Sequence, residues 1–126
     1  MKRIIKTPDA PAPIGPYNQA VQFGNMLFIS GQIALDPPSG ELIMDSIQAE
    51  SEQVMKNLKT ILAEADMDFT HVVKTSIFLK DMNQFAEVNA VYGAYFDPET
   101  APARETVEVG NLPKFVNVEI SMIAMK

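Results

Sequence analysis

Apolar residues recur along this chain with two different periods, and the switches between them mark out its elements. Residues 2–6 read as a short strand. Ala20–Phe23 and Met26–Ser30 make two more around Gly24-Asn25, a two-residue hairpin signal. The period then lengthens. Ile47, Ser51, Val54, Leu58, Ile61, Leu62 and Ala65 fall on one stripe at helical spacing, with Asp45 and Gln48 in a capping-box arrangement at its start. Glu50, Glu52, Lys56, Lys59 and Glu64 lie largely off that stripe, as a solvated face would. His71–Lys80 alternates again, with Val73, Thr75, Ile77 and Leu79 on a dry side and Lys74, Ser76, Phe78 and Lys80 opposite. Asp81 and Gln84 repeat the capping-box spacing and open a second helix to about Phe96, striped by Phe85, Val88, Tyr92, Tyr95 and Phe96. Two strands close the chain, Arg104–Val109 and Val116–Met125, divided by a break at Gly110–Pro113.

That order predicts an α+β sandwich: one mixed β-sheet with two helices packed on one face. Residues 1–126 suffice for a single domain with a real core. The helices cover only one side of the sheet. The other carries Phe78 and Ile123 among polar residues, more apolar than a water-facing sheet tends to be, which predicts self-association in a closed cyclic assembly.

Charge and composition narrow the chemistry. The net charge of −6 and pI of about 4.6, with no basic run, disfavour nucleic acid as a partner. With no cysteine, thiolate catalysis and Cys-ligated metals are excluded. The single histidine, His71, makes no metal site alone and reads as structural or solvated. No apolar run is long enough to span a membrane, and the basic Met1–Lys6 segment lacks the apolar stretch of a signal peptide, so a cytoplasmic protein is expected.

Five places carry candidate chemistry. Arg104 follows the Pro102-Ala103 loop at the start of a strand, where its planar guanidinium could grip a carboxylate or simply be solvated. Glu119 stands in mid-strand; if another element or subunit covers that face, its pKa should rise. Asn89 falls inside the second helix's apolar stripe, where a buried amide must find partners, either tying down a loop or serving a site. Gly31 interrupts an extended run, which signals a bulge or a close approach by another group. Pro8, Pro11, Pro13 and Pro16 stiffen a loop that delivers Tyr17, either a core anchor or a group aimed into a site.

Together these stretches resemble the RidA/YjgF family of enamine/imine deaminases. The resemblance is carried by Ala12-Pro13-Ile14-Gly15-Pro16-Tyr17, Ile29-Ser30-Gly31-Gln32-Ile33, Val73-Lys74-Thr75, Phe85–Tyr92, Pro102-Ala103-Arg104, Val107-Glu108-Val109, Leu112-Pro113-Lys114 and Val118-Glu119-Ile120. It implies a chorismate-mutase-like fold, a homotrimer with clefts between subunits, and hydrolysis of 2-iminobutanoate and 2-iminopropanoate to 2-keto acids and ammonia, with no metal and no cofactor. By motif, Tyr17, Ser30, Gly31, Asn89, Arg104, Thr106, Pro113 and Glu119 would line the cleft. Arg104 would hold the substrate carboxylate, Glu119 would orient water and carry its proton, and Tyr17 would join them in catalysis. Glu105 and Thr106 depart from the Ser and Cys that deaminases of this group often carry. Strand alternation points Glu105 away from Arg104. Rival readings are a regulator that binds 2-keto acids without turnover, a ribonuclease or translation inhibitor, and a holdase-like structural role.

Overall fold

Gly24 takes the positive φ of 60° that a two-residue turn opening on glycine requires, and joins β2 (Ala20–Phe23) to β3 (Met26–Gln32) with Phe23 opposite Met26. The computed structural model describes residues 1–126. β1 (Lys2–Ile5) pairs antiparallel with the outer side of β2. From β3 the chain passes through α1 (Ile47–Glu64) to β4 (Val72–Leu79), then through α2 (Phe85–Gly93) to β5 (Ala103–Glu108). β4 and β5 are parallel, so a crossover helix between them is required. β6 (Val118–Met125) inserts between β3 and β4, antiparallel to both, and gives the order β1-β2-β3-β6-β4-β5.

The core lies between α1 and one face of this sheet. Val54, Met55, Leu58, Ile61 and Leu62 of α1 are fully buried against Leu27, Ile77, Leu79, Val118, Ile120 and Met122. Burial of such side chains stabilises by roughly 1.5–3 kcal/mol each. α2 adds Val88 and Tyr92 at the edge of the core. The opposite face has no helix. Phe28 and Val107 stand 43% and 40% exposed there, beside half-buried Phe78 and Ile123, as the alternation predicts.

Several boundaries move for identifiable reasons. Ser46, not Asp45, caps α1: its side chain accepts from the Ala49 N–H at 3.0 Å. A register shift between Val72 and Lys74 sends Val72 into the core and leaves Val73 exposed, reversing the expected side for Val73. His71 precedes β4 in a 3-10 turn, where its Nδ1 accepts from the Asp68 N–H at 3.0 Å, so it is structural. Asp81 caps a 3-10 turn at Met82–Gln84 rather than a capping box, and α2 proper ends at Gly93, short of Phe96. The last strand begins at Val118 rather than Val116, because a 3-10 turn occupies Pro113–Phe115. Asp66 closes α1 in the left-handed region, φ 59°, with Met67 N–H reaching back to the Leu62 carbonyl.

Candidate functional site: two half-sites on one sheet

Residues facing each other across a ladder share a side of the sheet, so register decides where each charged group points. Arg104 lies opposite Thr75 on the helix side. Its Nη1 donates to Asn89 Oδ1 at 2.7 Å. The guanidinium carbon lies 5.1 Å from the centre of the Tyr92 ring and 5.6 Å from that of Phe85. These are cation–π distances, and they hold the fork in place. The Tyr92 hydroxyl is itself tied to Thr75 Oγ1 at 3.0 Å, deep in the structure. Asn89 therefore aims the arginine, leaving the rest of the fork free for a planar anion. The amide is exposed, which corrects its expected burial in the stripe. Thr106, two residues on and on the same face, has a buried Oγ1 with no partner. Phe85 and Tyr92 belong to this half-site but read in sequence only as core aromatics.

The second half-site is on the open face. Glu119 lies opposite Phe78, half-buried, and that burial pushes its pKa above the ordinary carboxyl value. The ladder is irregular between Ile29 and Gln32, and a Cβ built on Gly31 would fall 2.7 Å from Glu119 Cδ. Both expectations for Gly31 hold: the bulge is present, and the group that approaches it is the Glu119 carboxyl. Tyr17 is 48% exposed, so it is no core anchor; it lines a small cleft with Gly31, Gln32 and Lys114. Ser30 ties that wall together, its Oγ donating to the Asn18 carbonyl at 2.6 Å. Pro113 opens the 3-10 turn in which Lys114 and Phe115 both adopt left-handed φ, 55° and 57°. Two successive non-glycine residues in that region store strain beside the cleft. Residue type alone does not reveal this backbone at Lys114, since neither lysine nor phenylalanine favours that conformation.

Glu105 faces away from Arg104. It accepts from the Ser76 hydroxyl and pairs with Lys74 at 2.9 Å; the Ser76 hydrogen bond first, then Lys74, holds its carboxyl below the ordinary value. Its negative charge is thus spent on the open face. The guanidinium of Arg104 and the carboxyl of Glu119 also lie on opposite faces. One chain does not enclose them in a single pocket.

One six-stranded mixed sheet, backed by two helices and carrying these groups at a bulge and an edge strand, defines a small α+β protein of chorismate-mutase-like fold. A family model described as "Endoribonuclease L-PSP" matches residues 7–126, and the chain belongs to this family, the YjgF/RidA family. A RutC family protein of Synechocystis is 52% identical over 124 residues, covering 98% of this chain and 95% of that protein. The 2-iminobutanoate/2-iminopropanoate deaminase of Escherichia coli is 46% identical, covering 100% of this chain and 99% of that one. RidA from the Antarctic bacterium Psychrobacter has the same fold in its crystal structure, with a TM-score of 0.94 at 41% identity over 98% of this chain and 99% of that chain. No helix here is long and apolar enough to cross a membrane.

Proposed function

We propose that this protein hydrolyses short 2-imino acids, 2-iminobutanoate and 2-iminopropanoate, to 2-keto acids and ammonia. The reaction takes place in clefts shared between neighbouring subunits of a homotrimer. The observation that carries this reading is the division of the site. Arg104, Asn89 and Thr106 form an anion-holding half on the helix side, and Glu119, Gly31 and Tyr17 an acid–base half on the open side. A second copy whose open face meets the β5 edge of the first would join them. The apolar residues Phe28, Phe78, Val107 and Ile123 supply a surface for such contact. The 46% identity to a deaminase of that specificity supports the substrate class.

The chemistry asks little of the protein. A protonated imine is already electrophilic at C2, and Arg104 would hold the adjacent carboxylate in a charge-assisted pair. The Glu119 carboxylate accepts a proton from water as the water oxygen bonds to C2 and the C=N π electrons move to nitrogen. The carbinolamine then takes that proton on its nitrogen and collapses, the C–N bond breaking as the C=O forms. The hydroxyl proton leaves with ammonia, so that imine cation and water become keto acid and ammonium. A positioned acid–base group of this kind contributes roughly 10²–10⁴-fold. Tyr17 and Pro113 shape the wall, and Ser30 acts through the loop it fastens.

The net charge of −6 opposes phosphate backbones and so argues against RNA as the substrate. Glu105, whose charge Lys74 and Ser76 take up, no longer favours a regulator without turnover. The test is keto-acid release from imine generated in situ by a threonine dehydratase, with a competing amine present. Acceleration that disappears in Arg104→Ala is expected. Release no faster than the spontaneous rate, with the keto acid still bound, overturns the enzymatic reading.

A further inference from the structure

Glu50 stands in the first turn of α1 and is fully buried, although helical spacing assigns it to the solvated side. No cation lies within ion-pair distance of it. Its Oε2 accepts from the backbone N–H groups of Asn117, at 2.8 Å, and Val118, at 3.2 Å. Its Oε1 accepts from Asn117 Nδ2 at 2.8 Å. A carboxyl group removed from water is costly, and it offsets that cost here by accepting from three donors that an apolar side chain would leave unpaired. A buried group of this kind gains meaning from what it grips.

Asn117 and Val118 are the two residues immediately before Glu119. Across the sheet, the Lys80 N–H donates to the Asn117 carbonyl at 3.0 Å, so this peptide is held from both sides. The clamp also closes just after the left-handed residues Lys114 and Phe115, beside the cleft that Lys114 lines. Val118 is thereby fixed facing inward, and alternation then turns Glu119 outward onto Gly31. The strand gains at its start the anchor that a ladder begun at Val116 would have supplied.

We infer that Glu50 is a positioning residue for the acid–base carboxyl: it clamps the start of β6 and sets where Glu119 and the Pro113–Phe115 turn meet the cleft. This rests on the reading of Glu119 above. Charge itself is not what the clamp needs. A glutamine can accept both backbone N–H groups through its carbonyl, and its amide can pair with Asn117 once that side chain turns over.

The test compares Glu50→Ala, Glu50→Gln and Asn117→Ala with the unaltered chain in imine turnover, keto-acid affinity and the titration of Glu119 followed by carboxyl 13C NMR. In Glu50→Ala, kcat should fall about ten-fold or more, keto-acid Kd should stay within about two-fold, and the Glu119 titration should move toward the ordinary range. Glu50→Gln should recover most of each, and Asn117→Ala, which leaves the backbone contacts, should show a smaller change in the same direction. If Glu50→Ala does not fold, Asn117→Ala decides the matter by the same readouts. A lowered melting temperature with kcat and the Glu119 titration unmoved in Glu50→Ala, or in Asn117→Ala where Glu50→Ala does not fold, overturns the inference. The titration needs no turnover, so it judges the clamp even if the chain proves to hydrolyse no imine.

Discussion

The Glu119 carboxyl rests directly over the Cα of Gly31, so closely that a methyl group on Gly31 would lie 2.7 Å from Glu119 Cδ and 2.8 Å from Oε2. Something must move in Gly31→Ala, and what moves is the far end of a flexible side chain rather than backbone. Folding should therefore tolerate the change while the carboxyl is displaced. A displacement on the order of 1 Å is enough to cost about 10²-fold in turnover. Gly31→Ala should keep its melting temperature within a few degrees and lose most of its kcat. A variant with normal kcat would separate Glu119 from the chemistry.

Glu119 also predicts opposite pH dependences for stability and turnover. Burial raises its pKa in the folded chain above the unfolded value. Between the two values the folded chain holds more proton than the unfolded one, so this group's contribution to stability falls as pH rises through that window. Turnover runs the other way, since the carboxyl must ionise before it can take a proton from water. The acid limb of kcat should lie above the ordinary carboxyl range. The difference in melting temperature between the unaltered chain and Glu119→Gln should change with pH across the same window. Both are measured by scanning from about pH 4 to 8, which spans the ordinary and raised values. An acid limb at the unperturbed value, or a stability difference that is flat with pH, counts against the assignment.

Much of this was legible because period and punctuation are local properties. The hairpin at Gly24, the α1 stripe, the bulge at Gly31 and the side taken by Glu105 all follow from spacing and residue type. The misreadings come from contacts distant in sequence. Val73 is turned outward by a bulge against β6, and Glu50 is drawn inside by donors 67 and 68 residues away. Asn89 reads as buried only if helix spacing alone decides; the structure gives it the guanidinium 15 residues on instead. The resemblance sets Arg104 and Glu119 around one cleft between subunits, and the register of β5 and β6 about β4, which spacing alone does not reveal, puts them on opposite faces of a single chain's sheet. The hydrophobic pattern tells which side of a strand is dry, but not which distant strand it will pair with or at what offset along its length.

That separation supplies the most direct test of a shared cleft. If each cleft takes Arg104 from one copy and Glu119 from its neighbour, Arg104→Ala and Glu119→Gln chains should each be inactive alone and complement one another when mixed. Random reassembly of equal amounts restores both groups to about a quarter of the clefts in a closed ring, whatever the number of subunits. The two variants should be unfolded together, refolded and assayed against each alone, with molar mass followed by light scattering. Activity near that fraction, appearing only after co-refolding, is the expected result. No recovery, with mixed assemblies shown to form, would mean that the two groups do not meet across subunits. Since the sheet register already keeps them apart within one chain, the proposed division of labour between Arg104 and Glu119 would then have no physical route.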